Sequence, residues 1–569
     1  MKRIAFIITL LFIVIFLGRS LNPFSSKMFT FHDETQAARV QQFVLNIKNL
    51  QIPPRIAPDF SFKLGYPIFN YYSPFPYWIT SILHLTGISV INSLKISFLL
   101  AIVVGFVSMF LLLRLFFNFY PSLLAATLYV SSPWLAVEIF IRGNLAETWF
   151  IALLPAGFWC LYKNQKNLSS WFFIITVIIL SFILTSHNIL SIVFVPIIIA
   201  YIFLLPNKRK NYFALFFSFL ISAYFFLPAI IELPLTYAGE VAKNNNYSGD
   251  LLCLWQLWTT PFWGYGGSIP GCSDGMSFML GKPQIIFGII GLFFLVRRLF
   301  FQKKDKAIFI FFTLLLTVSI YFSTNLSLLI SGLLEPFLSF FQFPWRLLAF
   351  ALFGICFVAA GIEIPKRFKK VGFVFVLLAY SVIIYNSKFF IKDLMTNEKF
   401  NKDFLSSTFI EKMVAYKVAE YVPKTVDYKN WFKYESNKGG SEIIDPTLND
   451  GKFIHSLDKG ILNIINNSSF YKQATTTSNK IILNISYMPY WKIYINDIIY
   501  IPTKLDKLGR PIIGLSKPST IKVKYEQTTV EKVGNAISII ALLGLITIVT
   551  LFHGFIVKRQ QLNNEAMKQ

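Results

Sequence analysis

Charged residues are scarce in this chain of 569 residues, where Asp, Glu, Lys and Arg together make up 14%. A typical soluble domain has about 25%. Hydrophobic residues account for 55% of the chain, and they occur in long runs. This composition excludes a disordered chain and an ordinary cytosolic enzyme, and it predicts a protein that crosses a membrane several times.

Histidine and cysteine are also rare, with five and four copies. No two histidines have the spacing of a zinc site, and the sequence has no cysteine cluster. The sequence also has no P-loop, no G-x-G-x-x-G and no G-x-S-x-G motif. These absences argue against ATP-driven transport by this chain alone, a Rossmann domain for nucleotide sugars, and serine hydrolysis.

Twelve apolar runs are candidates for membrane-spanning helices, which need about 20 residues each. The first follows Met1-Lys2-Arg3, and no small-x-small cleavage site comes after it. We therefore interpret it as an uncleaved helix with a cytoplasmic N-terminus rather than as a signal peptide. The runs lie near residues 4–17, 96–116, 119–140, 146–162, 170–187, 189–205, 212–231, 284–301, 307–323, 345–364, 371–386 and 534–556.

Short basic clusters provide a test of this number, because they collect in cytoplasmic loops. When alternate sides are assigned to the twelve runs, every short cluster falls in the cytoplasm. The sequence therefore predicts an all-α polytopic membrane protein with about 12 transmembrane helices. The clusters are Arg114, Lys163 with Lys166, Lys208-Arg209-Lys210, Arg297-Arg298 with Lys303-Lys304, Lys366-Arg367 with Lys369-Lys370, and Lys558-Arg559.

The same alternation divides the chain into four parts. Residues 1–386 form a multi-span membrane domain with a large first outside loop at 19–95. Residues 387–533 form an extracytoplasmic domain, residues 534–556 the final span, and residues 557–569 a cytoplasmic tail.

The extracytoplasmic domain is predicted to be β-rich in its second half, whereas residues 398–445 combine a short amphipathic helix with loop. Apolar and polar residues alternate over Lys480–Tyr487, Trp491–Asn496 and Thr520–Tyr525, as in half-buried strands, and Asn496-Asp497 is typical of a turn. The net charge is +25. Much of it is lysine scattered over this domain, so it indicates a solubilising surface, and no nucleic-acid partner is expected.

The four cysteines fall into two classes by their predicted location. Cys253 and Cys272 share one outside loop, in an oxidising compartment, and are predicted to form a disulfide that braces an aromatic, glycine-rich loop. Cys160 and Cys356 fall inside predicted spans and are interpreted as packing residues.

An acidic pair, Asp33-Glu34, precedes a helical pattern of apolar residues in the first outside loop. The pattern predicts an amphipathic helix that lies on the outer membrane face and ends at Pro53-Pro54. Carboxylates at its N-terminus are able to accept a proton from a hydroxyl or to hold a divalent cation against a phosphate. The structural alternative is that Asp33 is the N-cap and Glu34 a first-turn acid.

Further polar residues fall at predicted span ends on the same outer side. Arg142 and Glu147 border a short turn, His187 ends one span, and Arg346 opens another. Arginines near a membrane face are suited to gripping phosphate; structural ion pairs, and a packing role for His187, are the alternatives. An aromatic run, Leu64–Trp78, lies on that side as well. Their convergence predicts one site that is open to the outside and reached from within the bilayer.

Several motifs occur in an order that resembles a known family over about residues 28–390. They are the acid pair followed by Arg39, then Pro54-Arg55, Gly65-Tyr66-Pro67, Tyr71-Tyr72-Ser73-Pro74, Arg142-Gly143, Ala146-Glu147, Thr185-Ser186-His187-Asn188 and Phe343-Pro344-Trp345-Arg346. The family is that of the bacterial membrane proteins called 6-pyruvoyl-tetrahydropterin synthase-related, which are grouped with the GT-C superfamily of integral-membrane glycosyltransferases. The segment Tyr487–Asp497 is similar to the β-rich tail of large multi-span envelope glycosylation proteins. Pterin synthesis itself is rejected, because pterin synthases hold zinc with three histidines and this sequence supplies no such cluster.

This resemblance implies a GT-C-like fold in the bacterial plasma membrane. It implies a transferase that takes a sugar from a polyprenyl-phosphate donor on the outer face and passes it to an envelope glycan, lipid or protein. By this resemblance Asp33 would be the base or a metal ligand, with Glu34 as the second candidate. The resemblance leaves two alternatives for a cofactor: no cofactor, or a divalent metal ion. From the predicted topology, Arg39, Arg142 and Arg346 are candidates for binding the carrier phosphate. Glu147 and His187 are candidates for completing the site.

The sequence is also compatible with two other functions. A transporter or flippase of lipid-linked glycans would carry ionisable residues at mid-membrane depth, where Glu138 and Arg114 come nearest. A non-catalytic envelope assembly protein would use the β-rich domain to bind a glycan or a partner.

Overall fold

The structure is a computed structural model of the chain. It describes residues 1–165, 170–260, 262–269, 272–301, 305–363, 371–429, 431, 445–448 and 450–566. Parts of the sequence predictions lie outside these residues: Lys166, Lys303-Lys304, the basic cluster at 366–370, much of 432–445 and the end of the tail.

Helices dominate the chain up to Ser387, because apolar segments in lipid must satisfy their backbone hydrogen bonds internally. They are α1 (Lys2–Leu17), α2 (Gln36–Lys48), α3 (Ile68–Tyr71), α4 (Phe75–Leu85), α5 (Val90–Leu113), α6 (Phe119–Val130), α7 (Pro133–Ala136), α8 (Leu145–Asn164), α9 (Ser170–Leu184), α10 (Asn188–Leu204), α11 (Lys208–Ile221), α12 (Ala223–Ile231), α13 (Ala238–Lys243), α14 (Lys282–Phe301), α15 (Lys306–Ser323), α16 (Leu328–Leu333), α17 (Glu335–Leu338), α18 (Leu348–Ala359), α19 (Val371–Ser387), α20 (Asn397–Phe404), α21 (Ser407–Lys412) and α22 (Thr529–Ala566).

Each of the twelve predicted runs contains a helix, but fewer helices qualify as complete spans. Among the described residues, seven are long and apolar enough to cross a membrane, or up to nine when two bent pairs each count as one span. The bends are 66° between α11 and α12 and 67° between Glu335–Phe341 and Pro344–Ala359. The helices α9 and α10 are apolar but shorter, and α1 has 16 residues. The polytopic helical architecture is therefore present, whereas the number twelve is not established.

The predicted β-rich region near the C-terminus is confirmed as two antiparallel sheets. One has the order β10-β9-β12-β7-β6 and the other β11-β8-β5. The predicted two-residue turn is also present, since Asn496 and Asp497 both have positive φ angles, 49° and 66°, as a type I′ hairpin requires. The strands are β1 (Lys27–Phe29), β2 (Ser268–Ile269), β3 (Ser273–Asp274), β4 (Leu394–Thr396), β5 (Ile454–Ser456), β6 (Leu462–Asn467), β7 (Tyr471–Thr476), β8 (Lys480–Leu483), β9 (Trp491–Ile495), β10 (Ile498–Tyr500), β11 (Ile512–Gly514) and β12 (Ser519–Tyr525).

The first loop and the β-rich region are packed together at one end of the helical bundle, which we name the domain side. Strand β1 pairs with β4 across most of the chain length. The Tyr66 hydroxyl donates to the Val418 carbonyl, and Ile56 belongs to the hydrophobic core of the sheets. The residues before α5 and those after α19 therefore form one continuous body.

The helix α2 differs from the prediction in two ways. It begins at Gln36 with Thr35 at the N-cap position and ends at Lys48, so Asp33 is not the N-cap. Its polar residues Arg39, Gln42 and Asn46 are buried along with its apolar face. The prediction of a helix lying on the membrane surface is therefore wrong, because protein covers both of its faces.

Candidate functional site

Asp33 lies in the turn before α2 and is tied to its neighbours through both carboxylate oxygens. Oδ1 accepts from Thr35 Oγ1 at 2.5 Å and from Arg39 Nη2 at 3.1 Å. Oδ2 accepts from Gln36 Nε2 at 2.6 Å and more distantly from Arg39 Nη1 at 3.4 Å. The side chain remains 23% exposed, so this carboxylate is held rigidly at the edge of the site.

Arg39 is the buried partner of Asp33, with 1% of its surface exposed. Its Nη1 donates to Tyr77 Oη at 3.1 Å, and its guanidinium lies 4.8 Å from the centre of the Tyr72 ring. Burial lowers the pKa of Arg39, but the Asp33 carboxylate more than offsets this and raises it well above the usual value. Arg39 is therefore a permanent, positioned cation.

Glu147 organises a second group of charges at the start of α8. Its carboxylate oxygens lie 3.0 Å from Arg142 Nη1, 3.2 Å from Arg346 Nε and 3.3 Å from His187 Nε2. The N-cap residue Asn144 accepts from the Glu147 backbone N–H and donates to Glu147 Oε1, both at 3.0 Å. One buried carboxylate thus holds two arginines and a histidine.

His187 is engaged at both ring nitrogens. Nδ1 accepts from the backbone N–H of Leu190 at 3.1 Å, which caps α10. Since Nδ1 is an acceptor, the proton of the neutral ring is on Nε2, which faces Glu147. This arrangement suits a positioning role better than proton transfer.

Arg142 and Glu138 pair within the wide helical turn Val137–Arg142. Their side chains are 2.7 Å apart, and Glu138 is fully buried. The Arg142 guanidinium also stacks over Trp345 at 4.4 Å. Glu138, which is one of the two residues that the transporter alternative singled out, therefore belongs to the same charge cluster as Glu147.

The two charged groups are joined at the backbone and at Tyr72. The backbone N–H of Asp33 donates to the Arg142 carbonyl at 2.8 Å. Burial raises the pKa of Tyr72, the positive charge of Arg39 lowers it, and the negative charges of Asp33 and Glu147 raise it. The structure thus brings together six of the predicted site residues: Asp33, Arg39, Arg142, Glu147, His187 and Arg346.

Glu34 forms no ion pair with the arginines of this cluster among the described residues and pairs with Lys417 instead. Its carboxylate lies 2.6 Å from Lys417 Nζ, and 12% of its side chain is exposed. The ion pair holds the short helix Ala415–Tyr421 over the turn before α2. In this structure Glu34 fastens that helix in place.

The disulfide loop contributes an aromatic residue to the site. The structure places Cys253 and Cys272 as a disulfide with Cα atoms 5.7 Å apart, while Cys160 and Cys356 are buried and free. Tyr265 of this loop stacks on the ring of His32, next to Asp33. Burial raises the pKa of its hydroxyl, and the charges of Arg142, Asp33 and Arg346 act on it.

Glu420 is a site residue that the sequence predictions missed. Its pKa is raised by burial, and the charges of Arg39 and Arg346 oppose this rise. Among the described residues, no side chain donates a hydrogen bond to its carboxylate. Because Glu420 follows Asp33 by several hundred residues and belongs to no motif, nothing in the sequence marked it.

An apolar groove of about 220 Å³ opens beside these residues, between α4, α9 and the α11–α12 bend. Thr185, two residues before His187, lines the groove and accepts the Phe75 backbone N–H at 3.0 Å. Aromatic and aliphatic side chains such as Trp78 and Phe182 form most of its wall. Within the part of the chain that the structure describes, no three His, Cys, Asp or Glu residues are grouped to hold a metal ion.

Residues 69–230 match a family model described as 6-pyruvoyl-tetrahydropterin synthase related domain, membrane protein. This match confirms the family resemblance inferred from the motifs. The matched region contains Tyr72, Arg142, Glu147 and His187.

Two solved structures are similar at 13% identity and a TM-score of 0.43. The arabinofuranosyltransferase AftD from Mycobacteria aligns with 69% of this chain, which spans 27% of AftD. The archaeal oligosaccharyltransferase AglB from Archaeoglobus fulgidus, in complex with an inhibitory peptide and a dolichol-phosphate, aligns with 70% of this chain, which spans 56% of AglB. No curated protein sequence matches the chain.

Proposed function

Taking the family match over residues 69–230 as the premise, we propose that the protein is an integral-membrane glycosyltransferase. It takes a sugar from a polyprenyl-phosphate donor and passes it to a hydroxyl of an envelope acceptor. The reaction takes place on the outer face of the bacterial plasma membrane, where the domain side of the bundle lies.

One observation carries this proposal: a buried cluster of paired acids and arginines adjoins an apolar groove, since His187, which contacts Glu147, follows the groove residue Thr185 by two positions. The charges of Arg39 and Arg346 both act on Glu420. An isoprenoid chain fits an apolar groove, while its phosphate needs cations at the groove mouth. The juxtaposition matches the two ends of one lipid-linked substrate.

The arginines take part in the chemistry through charge. As the bond between the sugar anomeric carbon and the phosphate oxygen breaks, negative charge develops on the leaving polyprenyl phosphate. Arg39 and Arg346 offset that charge, and such prearranged groups are the largest source of rate enhancement in many enzymes. Arg142 keeps Glu147 and Glu138 neutralised behind them.

The acceptor hydroxyl loses its proton as its oxygen bonds to the anomeric carbon, so a carboxylate must accept that proton. Four hydrogen bonds occupy Asp33, which matches the acceptor sites of a carboxylate. Glu420 has no such ties and a raised pKa. We therefore assign Glu420 as the base and Asp33 as the group that holds Arg39; the family resemblance instead favours Asp33 as the base.

Sugar transfer in membranes supplied with a panel of labelled polyprenyl-phosphate sugars tests these roles. Glu420→Gln should lower kcat by about 10²–10⁴-fold, the usual contribution of a general base, with little change in KM. Asp33→Asn should mainly raise KM for the donor, because Arg39 loses its anchor. Glu411→Gln is the control, because Glu411 pairs with Lys63. This variant should transfer sugar at the normal rate.

Three results would change the assignment. A normal rate for Glu420→Gln with an inactive Asp33→Asn would move the base to Asp33. A rate restored by added divalent metal after chelation would make Asp33 a metal ligand. Movement of labelled lipid in proteoliposomes without product would favour a flippase and overturn the transferase.

A further inference from the structure

A second, separate cavity lies on the domain side, between the first loop and the sheets. Its volume is about 160 Å³. Its wall contains three lysines, Lys63, Lys452 and Lys472, and one carboxylate, Asp59, among the described residues. Cationic groups therefore outnumber anionic ones in its lining.

Lys472 occupies a position that ordinarily holds an apolar residue. It lies on the inner strand β7, in register with Val523 of β12 on one side and Asn467 of the edge strand β6 on the other. It points to the same face of the sheet as Ala474, which is fully buried. Only 8% of Lys472 is exposed.

The Lys472 ammonium lacks a partner oxygen. Among the described residues, no side chain or carbonyl forms an ion pair or hydrogen bond with it, and its Nζ lies 5.9 Å from the centre of the Phe453 ring. Burial lowers its pKa to about 8, with Asp59 acting in the opposite direction and Lys63 in the same direction. The side chain lines the cavity, and a cation in such a largely buried position is stabilised by an anion held beside it.

The opposite wall of the cavity is built from strained backbone. Ser61, Phe62 and Lys63 all have left-handed φ angles of 56° to 61°, a conformation that is unfavourable for residues other than glycine. This turn presents Phe62 and Lys63 to the cavity. Strain of this kind persists where the surrounding structure holds it, often at binding sites.

We propose that this cavity binds a carboxylate or phosphate group, carried by a sugar or free, with Lys472 as its central cation. The cavity has room for the anionic group together with part of a sugar ring. Lys63 and Lys452 line its open side, and each already has a surface partner, Glu411 and Asp450.

The cavity is connected to the candidate active site through α2. Asp59 accepts from Gln42 Nε2 at 2.8 Å. Gln42 follows Arg39 by three residues, about 4.5 Å along the helix axis. An anionic acceptor held here would thus lie next to the helix that carries Arg39, although binding at the cavity does not depend on the proposed transfer.

The test is binding of small anions to the full chain in detergent, measured by calorimetry and by trace acetylation of lysines. Glucose 1-phosphate, glucuronate and inorganic phosphate are the probes, and glucose is the neutral control. Binding should protect Lys472 from acetylation. Lys472→Gln should weaken binding by about tenfold or more, as expected for loss of a hydrogen bond to a charged group.

Lys524→Gln is the matched control, because Lys524 lies on the neighbouring strand opposite Tyr471 and its side chain is exposed. It should bind as the wild type does. Tighter binding of the sugar anions than of phosphate identifies a sugar-borne group, and equal binding identifies free phosphate; both support the site.

Equal binding of glucose, unchanged binding by Lys472→Gln, or no anion binding up to about 10 mM would overturn the proposal. Asp33→Asn should bind the anions normally. A failure of sugar transfer is therefore distinguishable from a failure of this site.

Discussion

Glu147 is the residue on which the charge cluster depends. Its carboxylate is fully buried and faces Arg142, Arg346 and His187. A buried ion pair contributes little net stability by itself, but removing one partner leaves uncompensated charge in a low-dielectric environment. Arg346 would lose its carboxylate partner, and Arg142 would keep only Glu138.

We predict that Glu147→Gln destabilises the protein by about 3–5 kcal/mol, the usual cost of breaking a buried pair. Glu411→Gln, which removes one half of a surface pair with Lys63, should cost less than about 1 kcal/mol. Thermal unfolding of the purified variants in detergent measures both. Equal, small shifts would show that water reaches the Glu147 cluster.

At the scale of elements, the turn Val137–Gly143 positions the segment before α2 that carries His32 and Asp33. The backbone N–H groups of His32 and Asp33 donate to the Ile141 and Arg142 carbonyls at 2.9 and 2.8 Å. Gly143 closes the turn with a φ of +67°. A Cβ atom at this position would lie 2.0 Å from Phe31 Cδ2.

Gly143→Ala should therefore displace Phe31 and, with it, the segment that carries Asp33. Gly87→Ala is the control, because Gly87 also has a positive φ, +95°, but its Cβ would meet no atom within 4 Å. We expect a clearly larger loss of thermal stability and of donor binding for Gly143→Ala. A double-mutant cycle with Phe31→Leu should show coupling between the two positions; additive effects would contradict the proposed clash.

At the scale of the whole molecule, the proposal requires that the domain side faces outwards. Lys459 is exposed in the β-rich region, and Arg209 is exposed at the opposite end of a span, at the start of α11. The short basic segment containing Arg209 predicts a cytoplasmic location.

In intact cells, a membrane-impermeant maleimide should label Lys459→Cys but not Arg209→Cys. Permeabilised cells should show labelling of both. The native cysteines do not interfere, since two are placed in a disulfide and two are buried. The reverse pattern would put the site in the cytoplasm and remove the basis for an outward-facing transferase.

Composition and periodicity identify a residue's place well where it depends on neighbouring residues in the sequence or where the surroundings are the same along the whole segment, as in lipid. A run of apolar residues indicates a membrane span, and alternation of apolar and polar residues indicates a half-buried strand such as Trp491–Ile495. The sequence wrongly predicts that α2 lies on the membrane surface. Helical spacing shows that one face of α2 is apolar, but it does not show that Arg39 and Gln42 on the other face are buried.

By itself, the sequence determined that the chain is a membrane protein with a β-rich region near its end, and it singled out Asp33, Arg142, Glu147, His187 and Arg346 as polar residues at span ends. Only the tertiary structure decided which charges pair, because pairing depends on distances between segments far apart in the chain. For the same reason it alone brought Glu420 within the influence of the Arg39 and Arg346 charges and left Lys472 without a partner among the described residues.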